Sequence, residues 1–217
     1  MKAFSLHSSA SKTSRFFSAS ICVWILLLAT PALLHAQQKT NNNGGWSRIF
    51  RPTYSILAPH EWRVDSSQTR GCDLYFFSPK EDATDPFSEN VNVVLLPIDS
   101  TTFNLEKAVA SNLTQINQML ADVTILKSET VTENGRSFYV LDYQGKYGVH
   151  NIRITQHCFA KGNMSYVLTL TTRIDTYDKY KDIGLKIMKS IIFENTIAEP
   201  LPVMVQDYTP PAKGQNQ

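Results

Sequence analysis

The feature that most constrains this chain is a run of alternating segments in its second half, each separated from the next by a few turn residues. Val123 to Val131 leads into Glu133-Asn134-Gly135, and Asn-Gly is the dipeptide that tight hairpins favour because both residues accept positive φ. Ser137 to Gln144 then alternates, with Tyr139, Leu141 and Tyr143 on one face. His150 to Ala160 puts Ile152, Ile154, Gln156 and Cys158 on one parity. After Lys161-Gly162-Asn163 the chain returns through Met164 to Arg173, with Tyr166, Leu168 and Leu170 in step. Connections this short join only antiparallel neighbours, so the second half predicts a four-strand meander.

The first half supplies further strands. Tyr54 to Leu57 stops at Ala58-Pro59, Glu61 to Asp65 alternates through Trp62 and Val64, and Cys72 to Phe77 ends at Ser78-Pro79. Asn90 to Ile98 is nearly continuous in apolar residues, which predicts a strand buried on both faces. Two helices interrupt the strands. Leu105, Val109, Leu113, Ile116 and Leu120 form one stripe at three- and four-residue steps, with Asn104 as the expected N-cap. A second stripe over Thr176 to Ile192 joins Tyr177, Tyr180, Ile183 or Gly184, Ile187 and Ile191, with Asp175 as the expected cap. The expected class is α+β, an antiparallel sheet packed between helices as an α/β/α sandwich.

The ends of the chain read differently. Lys2, Lys12 and Arg15 precede the apolar run Ile21–Leu28, and the stretch closes on Leu34-His35-Ala36 without an acidic residue. That order predicts a cleavable export signal over 1–36. The apolar run is too short for a membrane span, which takes about 20 residues. Residues 37–50 read as a flexible linker, 51–196 as the domain, and 197–217, with Pro200, Pro202, Pro210 and Pro211, as a disordered tail. The signal holds three of the 21 basic residues and none of the 19 acidic ones, so the mature chain is near neutral. This balance argues against a nucleic-acid partner. The expected location is outside the cytoplasm, periplasmic or extracellular. Association with a membrane is compatible with the mature chain, although it contains no span.

The opening Tyr54-Ser55-Ile56, Pro59 and Trp62, the long helix after the fourth strand, the meander, and the close on Ser190-Ile191-Ile192-Phe193 together resemble the PsbP-like domain family. The resemblance covers about Tyr54 to Glu194. It implies an antiparallel sheet between helices and a non-enzymatic binding or assembly role, with no catalytic residue and no cofactor.

Candidate chemistry is sparse. Removing the signal leaves Cys72 and Cys158, an even pair in an oxidising compartment and therefore a candidate disulfide. Both lie on the parity of apolar neighbours, so they can meet if their strands adjoin; the alternative is two separately buried thiols. His157 adjoins Cys158, but neighbours on a strand point to opposite faces, which argues against a nucleophile–base pair. The loop Lys80–Asn90 gathers Glu81, Asp82, Asp85 and Glu89, oxygen ligands of the kind calcium takes, in a spacing that matches no known calcium loop. His60, His150 and His157 lack zinc-site spacing. Tyr139, Tyr143, Tyr147 and Tyr166 can line a pocket, but alternating aromatics are first of all core. The leading expectation is a non-catalytic binding or assembly module of a bacterial cell envelope with another envelope protein as partner. A carrier of a small apolar ligand between sheet and helix comes second, and an enzyme of unrecognised type third.

Overall fold

The computed structural model of the protein describes residues 45–68 and 71–194. The expected export signal and Pro-rich tail lie outside the described residues, as does most of the expected linker. Among the described residues the elements run β1 Trp46–Phe50, β2 Tyr54–Pro59, β3 Arg63–Asp65, β4 Leu74–Phe77, β5 Asn90–Pro97 and α1 Leu105–Met119. They continue with β6 Ala121–Glu133, β7 Arg136–Tyr147, β8 His150–Lys161, β9 Met164–Arg173, α2 Tyr177–Lys189 and β10 Ile192–Phe193.

Seven strands form one sheet in the order β3-β4-β5-β9-β8-β7-β6, and β1-β2-β10 form a second. All their pairings are antiparallel. The meander is made by two-residue turns. Asn134 and Gly135 both have positive φ, 51° and 73°, the type I′ signature that follows the twist of the flanking strands. Gly148 and Gly162 take φ 57° and 56° at the first turn position, where a side chain would be strained.

One face of the large sheet carries Leu74, Phe76, Val91, Val93, Phe138, Val140, Phe159, Tyr166, Leu168 and Leu170. It is covered by α2 through Ile187 and Met188 and by the small sheet through Tyr54 and Ile56, all buried. The opposite face presents Leu141, Tyr143, Ile152 and Ile154 to α1, which lays Ile116 and Leu120 on them. Each such fully buried side chain contributes about 1.5–3 kcal/mol relative to exposure. The expected sandwich is therefore observed, with a second small sheet sharing the α2 layer.

Four local readings change. Trp46–Phe50, placed by the sequence in the linker, is β1, because its alternating residues register against β2 from Trp46↔Pro59 to Phe50↔Ser55. The second helix ends at Lys189, and the β-branched Ile192 leaves it to pair with Ser55. Its N-cap is Thr176, while Asp175 instead accepts two hydrogen bonds from Arg173. In α1 the expected cap holds, with Asn104 Oδ1 accepting from the Lys107 amide at 2.8 Å, but the buried line is Ala108, Asn112 and Ile116.

Helix α2 sits unusually close to β9. A Cβ built on Gly184 would stand 2.5 Å from Leu170 Cδ1, and Leu170 is itself 1% exposed and hemmed in. The lost space outweighs the helix propensity that alanine gains, so Gly184→Ala is expected to destabilise the fold by about 1–3 kcal/mol. A urea titration showing an unchanged or raised midpoint would refute this packing.

Candidate functional site

The residues singled out by the sequence do not converge. Cys72 and Cys158 are two thiols with no disulfide between them, both buried on the α1 face beside Val94, Ala108 and Val167. Parity holds for Cys158, which shares the α1 face with Ile152 and Ile154, but fails for Cys72, which packs on the face opposite Leu74 and Phe76; nor are their strands neighbours. Cys72 precedes β4 and Cys158 lies on β8, with β5 and β9 between. Three strand spacings of about 4.8 Å separate them by roughly 14 Å, twice the reach of a disulfide. Burial pushes the Cys158 thiol up to about 12, so it is an inert apolar filler and not a nucleophile.

His157 faces the other way, into the α2 layer, where its ring lies 4.8 Å from Phe138 and also packs on Phe159. It is 3% exposed and its Nδ1 has no hydrogen-bond partner. Desolvation, reinforced by Lys189 and Lys127 and opposed by Glu133, lowers its pKa to about 4. The imidazole is thus held neutral and serves as a core aromatic.

The acidic loop is knitted to itself and to α2. Asp82 Oδ1 accepts from the Thr84 amide and hydroxyl, and Asp85 caps the amides of Glu81 and Phe87. Glu81 takes Lys179 at 2.7 Å and Tyr180 at 3.3 Å, while buried Glu89 takes the Thr176 hydroxyl at 2.5 Å and that of Ser78 at 3.4 Å. Asp82 and Asp85 therefore shape the loop, and Glu81 and Glu89 hold it against the start of α2. Among the described residues no group of three or more His, Cys, Asp or Glu side chains could hold a metal. His60 bonds Ser47 at 2.8 Å, and His150 packs its ring 5.4 Å from Phe87.

Two bidentate ion pairs reinforce the layers. Arg51 grips Asp73 at 2.8 and 2.6 Å, and Tyr54 and Gln68 also donate to that carboxylate. Burial pushes Asp73 upward, but the bonds from Arg51, Tyr54 and Gln68 outweigh it and hold the carboxyl below its usual range. Arg153 likewise holds Asp142 at 3.1 and 2.7 Å and stacks 3.8 Å over the Tyr177 ring, tying the start of α2 to the sheet.

Sequence reasoning missed a buried polar line. Asn112 on α1 donates to Gln156 Oε1 at 3.0 Å, and Gln156 reaches Thr169 at 3.4 Å. The available signal was Gln156 itself, a polar residue on the apolar parity of β8 that burial obliges to find a partner. Tyr143, on the same face, has its hydroxyl raised far above the ordinary value by desolvation.

One surface feature with binding character lies at one end of the sheet. A cleft of about 430 Å³ opens between the β7–β8 turn and the β9–α2 turn, lined by Val149, His150, Asn151, Arg173, Ile174 and Asp175. The Ile174 amide donates to the Asn151 carbonyl at 3.0 Å and fixes the two turns to each other. The Gly148 turn thrusts Val149 out, 86% exposed, and Ile174 is 41% exposed beside it. The Arg173–Asp175 pair and His150 form a polar rim around these apolar tips.

A family model described as PsbP matches residues 50–193. The chain belongs to the PsbP family. Among solved structures it is similar to cyanobacterial PsbP (CyanoP) from Synechocystis, with a TM-score of 0.52 and 17% identity, covering 70% of this chain and 94% of that one. It is also similar to LpqN of Mycobacterium tuberculosis, a protein involved in cell envelope biogenesis, at a TM-score of 0.49 and 13% identity over 69% and 90% of the two chains. No curated protein sequence matches the chain. The PsbP family membership agrees with the fold expected from Tyr54, Trp62 and the closing segment. No helix among the described residues is long and apolar enough to cross a membrane.

Two measurements check the core assignments. Because the His157 pKa is lowered to about 4 from 6.5, the unfolded chain binds a proton first as pH falls. Stability due to this residue is complete above pH 6.5, is lost on acidification towards about pH 4, and then levels off. His157→Leu is expected to flatten the wild-type decline in that window; parallel pH–stability curves would refute it. Titration of unfolded, unreduced protein with a thiol reagent is expected to find Cys72 and Cys158 both reactive, and a bridged pair would overturn the strand order.

Proposed function

We propose that this protein is a non-catalytic binding or assembly module of the bacterial cell envelope that engages another envelope protein through the sheet-end cleft. The observation that carries the reading is the pairing of Val149 and Ile174 on two turns locked together by the Asn151–Ile174 hydrogen bond. An exposed apolar side chain at a hairpin tip gains nothing in the monomer, and two of them inside a polar rim have the anatomy of a small docking site. The strongly shifted groups support the same reading: Tyr54 and His157 on the α2 side of the sheet and Tyr143 and Cys158 on the α1 side each owe their shift chiefly to burial, and none lines the cleft. Catalysis would gather such groups at one concave surface. The expected export signal places the domain where an envelope partner would be met. The interface between α1 and the sheet is filled by Ile116, Leu120, Leu141 and Tyr143, so the apolar-carrier reading gains no support from the packing.

A photo-crosslinking residue at position 149, introduced into the protein in intact cells, is expected to give one discrete adduct with an envelope protein. The same residue at exposed Lys107, on α1, is expected to give none. Ile174→Asp combined with the probe should lower the adduct yield about tenfold, the loss of roughly 1.4 kcal/mol of contact. Equal labelling from both positions, or none from 149, would dismiss the cleft as a docking site.

A further inference from the structure

Strand β6 is the outer edge of the seven-stranded sheet, and its residues from Lys127 to Thr130 are all exposed. Its two halves differ. Register shifts at Ala121/Thr124 and Ile125/Lys127 break the first half, whereas Lys127 to Glu133 runs in unbroken register from Lys127↔Asp142 to Glu133↔Arg136. The regular stretch is bounded by a bulge at one end and the Asn134-Gly135 turn at the other, and its midpoint is Thr130.

The hydrogen-bond phase follows from the turn. In a two-residue hairpin the closing pair, here Glu133 and Arg136, exchanges both of its bonds, and the bonded pairs alternate from there. Glu133, Val131, Glu129 and Lys127 therefore bond inward to β7. Thr132, Thr130 and Ser128 direct their backbone groups out of the sheet, towards open solvent. The midpoint of the regular stretch is thus also an outward-bonding residue, as a two-fold antiparallel pairing requires.

We infer that the protein forms a two-fold dimer in which β6 pairs antiparallel with β6 of a second copy, centred on Thr130. In that register Thr130 faces Thr130 of the other copy, Ser128 faces Thr132, Glu129 faces Val131 and Lys127 faces Glu133. The three outward pairs exchange two backbone hydrogen bonds each, and the two sheets continue as one. Phase and the two ends of the regular stretch select this register, because a centre at Thr132 would run into the Asn134-Gly135 turn, and the charges agree with it. Moving the centre to Glu129 sets Glu129 against its own copy, and moving it to Val131 sets Glu129 against Glu133, like charges directly opposed in both cases. Moving it to Ser128 also opposes Lys127 and Glu129 but drives the pairing into the bulge at Ile125/Lys127. An edge lysine ordinarily repels a second strand. Here Lys127 has a carboxylate waiting at the symmetric position. The Lys127–Glu129 and Glu133–Lys189 contacts within one copy are exposed surface pairs at 3.0 Å, worth little and free to rearrange. Beyond each end of the pairing, exposed Ile125 and Leu126 would lie beside the other copy's Asn134-Gly135 turn, which gives those apolar side chains cover.

The inference goes beyond the docking cleft and is independent of it, since β6 and the cleft share no residue and purified protein alone tests it. Sedimentation equilibrium is expected to give twice the monomer mass. Lys127→Glu should raise the dimer dissociation constant about tenfold by setting like charges opposite each other at two symmetric places. Lys127→Glu with Glu133→Lys should restore it to within about threefold, a rescue that a general loss of stability cannot produce. Mild oxidation of Thr130→Cys should link two copies through that position, because a bonded antiparallel pair holds its Cα atoms about 5.5 Å apart. Glu129→Cys, offset along the pairing, should not link. A monomer at every concentration overturns the proposal. So does a dimer that ignores the charge reversal and is not trapped by Thr130→Cys.

Discussion

Everything in this domain depends on the pairing of β5 with β9. The two strands run together from Asn90↔Thr171 to Pro97↔Met164 and join the first-half strands β3 and β4 to the meander β6–β9. Val91, Val93, Leu168 and Leu170 fill one side of the pair and Val94 and Val167 the other. Remove this seam and the sheet divides into two pieces, β3-β4-β5 and β9-β8-β7-β6. Helix α2 rests on it through the Gly184–Leu170 approach, and α1 reaches it through Asn112, Gln156 and Thr169.

The polar groups within the fold act chiefly as fasteners. Arg51–Asp73 secures the small sheet to the loop before β4, Arg153–Asp142 with Tyr177 secures α2, and Glu89 secures the acidic loop. Such half-buried pairs add little net stability, because desolvation offsets most of their attraction, but losing one partner strands the other. They define where layers sit more than how firmly they stick. With the ionic chemistry engaged in this way, the features facing outward include the apolar tips of two turns and one strand edge.

Much of this was legible in the sequence. Periodicity located both helices and the meander strands, Asn104 capped its helix as its chemistry demands, and Asn134-Gly135 formed its turn, because these signals are local. The failures came from contacts between distant residues. Nothing near Cys72 and Cys158 reveals that β5 and β9 stand between their strands, and nothing near Trp46 shows that β2 is waiting to pair with it. Thr176 displaced Asp175 as the cap because Arg173 claims the aspartate and Glu89 claims the threonine, both being tertiary choices. The sheet-end cleft was equally hidden: Val149 and Ile174 are ordinary turn residues until the topology brings their turns side by side.

The β5–β9 seam also sets an order of events. Translation delivers β5 more than sixty residues before the end of β9, so Val91, Val93 and Val94 emerge with one whole edge of their strand unfilled. The meander can zip locally through its two-residue turns while β5 waits, because loop closure over short spans is fast and over long ones is slow. The seam is the pairing of greatest sequence span in the seven-stranded sheet, from Asn90↔Thr171 to Pro97↔Met164, and so carries a larger closure cost than the hairpins beside it. A chain built this way leaves that edge of β5 without its partner until residues 164–171 have been made.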